Sequence, residues 1–332
     1  MSRLLQIFPF LRDPMIAVLV IATALALVLP AAGEARATAT TVSNVGIFVL
    51  FLVNGMRIRR SEIAKGLANW RYFGPLMLFV FGAMTLLGLG FGMIAGAVLP
   101  PLVALGFVFL GCLPSTVQSA TSYTSLAEGN VALAVVGAAL INIAGVAVSA
   151  PLFALVGGVG AADVGLEAIG RIFLILLLPF AIGQAVQDRF IDHLIAHKAT
   201  AAWLDRSVIG IAVYVAFSGA VEQGLATMFS GTDWAALVVL VLAMLGLALG
   251  AAWGTGRLLG LPRGDRIAFL FAGSQKSVAV GAPLAAILFP PASAGFVIAP
   301  LLLYHLAQLV LAAPLAMRLA RGGRSGAFPT GG

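Results

Sequence analysis

Hydrophobic side chains fill 61% of the 332 positions and charged ones only 9%, against about 25% charged in an ordinary soluble domain. So little polar surface cannot cover a water-soluble fold of this size, which places the chain in a bilayer. The net charge of +7 does not point to nucleic acid, because the 19 basic residues are scattered among short loops between apolar runs. The single Cys112 lies inside an apolar run, which excludes a disulfide framework and a thiol-rich metal centre. Three His and twelve acids, mostly in loops, leave little for a catalytic metal cluster, so neither an enzyme nor a cofactor is expected.

Runs of about 20 apolar residues, each able to cross a ~30 Å hydrocarbon core, recur along the chain. Ten can be read, at 14–30, 41–56, 72–96, 102–127, 130–157, 166–187, 206–222, 233–256, 265–289 and 294–317. One set of alternate loops holds Arg3, Arg12, Arg57, Arg59, Arg60, Lys65, Arg71, Arg189, Lys198, Arg206, Arg257, Arg263, Arg266, Arg318, Arg321 and Arg324, sixteen of the nineteen basic residues. The other side holds Arg36 and Arg171 beside Glu34, Asp163, Glu167, Glu222 and Asp233. By the positive-inside rule both termini are cytoplasmic and the protein is integral to a bacterial inner membrane. A rival reading takes the start, from Arg3 through Leu29 to Ala31–Ala37, as a cleaved leader; the basic loop that follows favours a retained first span.

The ten spans divide into five and five, with a join near Gly157–Gly165. This predicts residues 1–160 as one repeat and 161–332 as a second, inverted in the membrane. Inverted repeats mark secondary transporters, with the substrate site at the midplane where the interrupted spans meet. Spans four and nine supply matching interruptions. Phe109–Asn130 holds Pro114 and a dense polar group, Ser115, Thr116, Gln118, Ser119, Thr121 and Ser122. Phe269–Pro283 holds Gly273, Ser274, Gln275, Lys276 and Ser277. Placing Phe109-Leu110 over Phe269-Leu270 brings Pro114-Ser115-Thr116 opposite Ser274-Gln275-Lys276. Proline removes a helical bond and glycine eases unwinding, and freed backbone at membrane depth must be buried in protein or line a wet cavity.

Lys276 is the outlier, since an ammonium at the centre of a span costs roughly 2.5–3.5 kcal/mol on insertion scales. Three readings stand open. It is a structural cation held by carbonyls of the broken span four; or a coupling residue that gives up and regains a proton as access alternates; or the counter-charge of an anionic substrate.

The segments PSTVQSATSYTSLAEGNVALAVV (Pro114–Val136), LLPFAIGQ (Leu177–Gln184) and GSQKSVAVGAP (Gly273–Pro283) resemble the bile acid:sodium symporter family, in its bacterial symporter-like branch. The resemblance implies ten helices, with a core domain of spans 3–5 and 8–10 in which discontinuous spans four and nine cross, and a panel domain of spans 1, 2, 6 and 7. It implies a small organic anion as substrate, bound between the domains, with alternating access. It also implies sodium sites, and here the sequence departs: the Glu expected four residues before Gln275 is Phe271, and the Asn expected after it is Lys276. The Ser-Asn pair of span four falls near Ala120-Thr121, and the hydroxyls of span five fall near Ala134 and Ala138. Sodium coupling is therefore disfavoured and proton coupling stays open.

Asn142, Asn44, Asn54 and Gln184 are expected to make interhelical hydrogen bonds, and His305 to bond Tyr304 or a carbonyl, with a proton relay through His305 and Gln308 as the sharper alternative. Gly82, Gly88, Gly90, Gly92 and Gly96 predict close packing of span three. The composite expectation is a secondary transporter of an organic anion that does not use the family's sodium sites. A non-transporting regulator and a sodium-coupled symporter are the alternatives. The sequence sets no oligomeric state.

Overall fold

The computed structural model describes residues 14–57, 60–61, 69–157, 170, 173–224 and 230–324, which contain helices and no strand. In chain order the helices are α1 (Pro14–Val28), α2 (Gly33–Arg57), α3 (Trp70–Gly96), α4 (Pro101–Cys112), α5 (Val117–Leu126), α6 (Val131–Val156), α7 (Phe173–Ala196), α8 (Lys198–Glu222), α9 (Gly231–Leu258), α10 (Arg263–Ser274), α11 (Val278–Leu288) and α12 (Pro291–Arg324). Eight stretches are long and apolar enough to cross a membrane, with α10 and α11 counted as one, and the bent pair α4–α5 makes a ninth. The apolar α1 has only 15 residues. The join expected near Gly157–Gly165, and Arg3, Arg12, Arg59, Lys65, Asp163, Glu167 and Arg171, lie wholly or almost wholly outside the described residues.

Two helices start earlier than hydropathy predicts, α2 at Gly33 rather than 41 and α8 at Lys198 rather than 206. Their first turns are polar, so an apolar-run criterion trims them, while the backbone ladder continues. These helices lie antiparallel and are tied at both ends. Arg36 near the start of α2 pairs with Glu222 at the end of α8, and Arg57 at the end of α2 pairs with Asp205 near the start of α8, at 2.6 Å. Helix α1 packs on α8, and α7 on α2.

A second set of contacts surrounds the two interrupted spans. Helix α3 packs on α4, α9 on α10, α5 on α6 and α10, and α12 on α4 and α11. Glycines set the closest of these approaches. A Cβ on Gly88 would lie 2.7 Å from the Phe107 carbonyl, and one on Gly111 would lie 2.7 Å from that of Met84. Gly92 serves the same seam, whereas Gly82 and Gly90 meet no other helix, so only part of the span-three glycine pattern reflects helix packing. Aromatic edges fill the remaining space, Tyr72 and Phe79 against Phe269, and Phe109 and Phe153 against Phe289.

The interruptions begin and end on alike backbone, although only the α4–α5 pair is bent by more than 40°. Helices α4 and α10 each have 12 residues, and each follows an extended proline, Pro100 (φ −54°, ψ 144°) and Pro262 (φ −51°, ψ 154°). Each ends in an extended residue, Leu113 (φ −81°, ψ 152°) and Gln275 (φ −82°, ψ 152°). After the gap, α5 and α11 start from extended Thr116 and Ser277, and α4 and α5 are bent by 65°. Superposing the helix ends sets Cys112 against Ser274, two residues away from the register that the Phe-Leu pairs suggest. The polar residues begin before the helix end in span nine and after it in span four, so polarity misplaces the break.

Candidate functional site: the crossing and its cavity

The two breaks meet, and several of the backbone groups they free find partners. Ser277 N–H donates to the Pro114 carbonyl at 3.0 Å. From α6, Asn142 donates to the Ser115 carbonyl at 2.7 Å. From α12, Gln308 holds both polar groups of one unwound residue: its Oε1 accepts from Lys276 N–H at 2.8 Å, and its Nε2 donates to the Lys276 carbonyl at 3.0 Å. Tyr304 donates to the Ser274 carbonyl at 2.6 Å. Side chains thus do for the gap what the helical ladder does elsewhere, which membrane depth requires. Gly145 admits this contact, since a Cβ there would lie 2.5 Å from the Pro114 ring.

Hydroxyls of Thr116 (3.1 Å) and Ser119 donate to Gln275 Oε1. The Gln275 Nε2 is buried without a partner, as are the hydroxyls of Ser115 and Thr121. Ser274 bonds back to the Leu270 carbonyl, and Ser277 caps α11 by accepting from Val280 N–H.

Lys276 is fully buried. Its ammonium donates to the carbonyls of Leu113 at 2.6 Å, Gly111 at 3.0 Å and Val80 at 3.4 Å. Three acceptors match the three N–H groups of an ammonium. Two of them close α4, where the helix dipole is negative. The third lies in a π turn of α3, Phe79–Ala83, where Met84 N–H bonds Phe79 rather than Val80. Among the described residues no Asp or Glu is buried, so no buried carboxylate faces the ammonium; carbonyl dipoles do, with the Cys112 thiol close by. Phe271, where the resemblance leads one to expect a Glu, is buried and its ring lies 5.9 Å from that of Tyr123. A sodium site that needs a carboxylate there does not fit these residues.

Beside the crossing lies a cavity of about 960 Å³. Five of the ten primary candidates line it, Thr116, Gln118, Ser119, Ser122 and Ser277, together with Asn142 and His305. Ser115, Ser274, Gln275, Lys276 and Gln308 are buried outside that lining, at the meeting of the breaks, and Thr121 is half-buried with its hydroxyl unpartnered. His305 meets a carbonyl rather than Tyr304: its Nδ1 lies 3.4 Å from the Lys276 carbonyl and 2.9 Å from Gln308 Nε2, while the Tyr304 hydroxyl bonds Ser274. The opposite wall is apolar, with Leu50, Phe51, Phe180 and Ile209, and ends at Asn54, Arg57, Asp205 and Arg206. These last residues were not expected at the cavity; an acid inside the basic start of span seven was the signal for them. Of the interhelical candidates, Asn142 and Gln184 (to the Gly55 carbonyl, 2.5 Å) bridge helices, while Asn54 bonds Arg57 one turn away.

Two helix breaks that meet beside a cavity in a helical membrane protein are the features expected of a transporter. The chain belongs to the SBF-like CPA transporter family, whose model matches residues 13–321. It is 37% identical to an uncharacterized protein of Pseudomonas aeruginosa over 94% of both chains. It is 34% identical to YfeH of Escherichia coli, a candidate symporter by name, over 93% of each. The rat sodium/bile acid cotransporter 7 is 23% identical over 83% of this chain and 82% of its own. The protein is therefore an integral membrane transporter of the bile acid:sodium symporter type, taking a small-molecule substrate.

Proposed function

We propose that this chain is a secondary transporter of a small organic anion, working by alternating access and without a solute sodium ion at the crossing. The observation that carries the reading is the cavity wall: Gln118, Ser122, Ser277 and His305 present polar groups there, beside Thr116, Ser119 and Asn142 whose donors are spent on the break, and the buried cation at that break is Lys276. In this reading the ten spans form two inverted repeats, 1–160 and 161–332. Spans 3–5 and 8–10 are the core, and spans 1, 2, 6 and 7 the panel. The matched 12-residue half-helices and the double clasp between α2 and α8 support that division. The cavity reaches Arg57 and Arg206, on the side that the basic-residue pattern makes cytoplasmic, which supports an inward-open state. Lys276 serves as a fixed cation in place of solute sodium. Its three carbonyl partners favour this over a titrating role, and its burial behind the wall favours it over direct substrate contact.

Uptake into proteoliposomes tests the class of substrate. Taurocholate, benzoate and lactate serve as anionic probes, with glucose and choline as neutral and cationic controls. Uptake above empty vesicles for an anion but not for the controls is expected. Anion uptake no greater than that of empty vesicles, from folded protein, would refute the proposal and leave the regulator.

A further inference from the structure

The convergence of three carbonyls on Lys276 is set by elements other than Lys276. Helices α3 and α4 touch backbone to backbone through Gly88 and Gly111, which fixes Val80 and Gly111 relative to each other. The π turn alters the bonding around Val80, and the end of α4 leaves Gly111 and Leu113 without helical successors. The Thr85 hydroxyl, 3.4 Å from the Gly111 carbonyl, adds an oxygen at the rim. We infer that Val80, Gly111 and Leu113 form a monovalent-cation site that this chain fills with its own side chain. The ligand class is a primary ammonium, or an alkali cation of similar size. This inference rests on Lys276 being a fixed cation.

Neutral carbonyls can replace the hydration shell of one positive charge, as in potassium filters. A divalent ion is excluded, because it is usually held with carboxylates and none is buried among the described residues. The site also supports the ammonium form against the cost of full burial: its three donors are met, and the negative end of α4 faces it. An occupant that cannot dissociate makes the crossing permanently loaded, so the ion gradient that fills a solute site has nothing to drive here.

The test removes the tether and returns the cation. Lys276→Ala keeps Cβ, and the atoms it lacks are those of propylammonium. Thermal unfolding is followed on the purified full-length protein in N-methylglucamine chloride. The variant is expected to melt roughly 5 °C below wild type, because three carbonyls lose their partner. Propylammonium should restore most of that loss, potassium or ammonium less, and the neutral analogue propanol none, with the wild type indifferent to all four. Equal rescue by propanol would overturn the inference, and so would a folded variant that no cation stabilises. Should Lys276→Ala not fold, Lys276→Met fills the same space without charge: stability equal to wild type would overturn the inference, and a loss of several degrees would support it. None of these readouts needs flux, so failure of the transport reading and failure of the cation site are separately visible.

Discussion

Substituting Gly219 is expected to open the face opposite the cavity mouth. Helices α8 and α12 close that face by reciprocal backbone contact. A Cβ on Gly219 would stand 1.9 Å from the Pro291 carbonyl oxygen, and one on Gly295 would stand 2.6 Å from that of Ala216. Real Cβ atoms essentially never come within 3.0 Å of such an atom, so Gly219→Ala forces the seam apart by more than 1 Å. Overpacking of this kind costs about 1–3 kcal/mol, which shifts a two-state equilibrium roughly 5–150-fold. Buried hydroxyls of Ser43 and Ser218 have no partner, so the closed face already carries a polar cost that water would relieve on opening. The assay uses the single native cysteine to advantage. In a Cys112→Ala background, Asn44→Cys, which lines the narrow cleft beside the seam, is labelled with a membrane-impermeant maleimide from each side. Adding Gly219→Ala should speed labelling from the face of the seam at least about fivefold, and Gly295→Ala should act in the same direction. Unchanged labelling in a folded variant would refute the seam as a gate.

Further predictions concern the scaffold. Gln308→Leu leaves the Lys276 N–H and carbonyl without their shared partner, at about 1–3 kcal/mol for each buried group. Its melting temperature should fall by roughly 5 °C, and Gln308→Glu, which keeps the acceptor, should lose less; equal stability of wild type and Gln308→Leu would contradict the clamp. Asn142→Ala frees the Ser115 carbonyl and should cost about 1–2 kcal/mol, read by denaturant or thermal unfolding. The Arg57–Asp205 pair is about a quarter exposed on each side, so a double-mutant cycle across it should return no more than about 1 kcal/mol. A larger coupling would mean that the mouth of the cavity is drier than its geometry suggests.

The membrane class, eight or nine of the ten expected spans and the two interruptions were legible in the sequence because bilayer hydropathy acts on long stretches. Lys276 stood out for the same reason, as a charge where none is cheap. Its partners were not legible, because they are carbonyls that look alike in every residue; only the fold shows that Val80 and Gly111 reach one point. The register between the breaks also escaped, since helix ends follow backbone bonds while the polar residues straddle them differently around Cys112 and Ser274. Nor did composition separate the wall from its support: Ser119 and Ser115 have the same chemistry, yet one lines the cavity and the other lies behind it. The clasp of Arg57 with Asp205 joins residues far apart in the chain, which no local pattern reveals.

The most direct test of a built-in cation is the dependence of anion uptake on sodium. Initial rates in proteoliposomes, for whichever anionic probe is carried, are measured from sodium-free choline buffer to sodium in large excess, at fixed membrane potential and pH. A flat profile is the predicted result for the wild-type chain. A saturable rise with sodium from a near-zero baseline would contradict the account and return the crossing to a solute-coupled design.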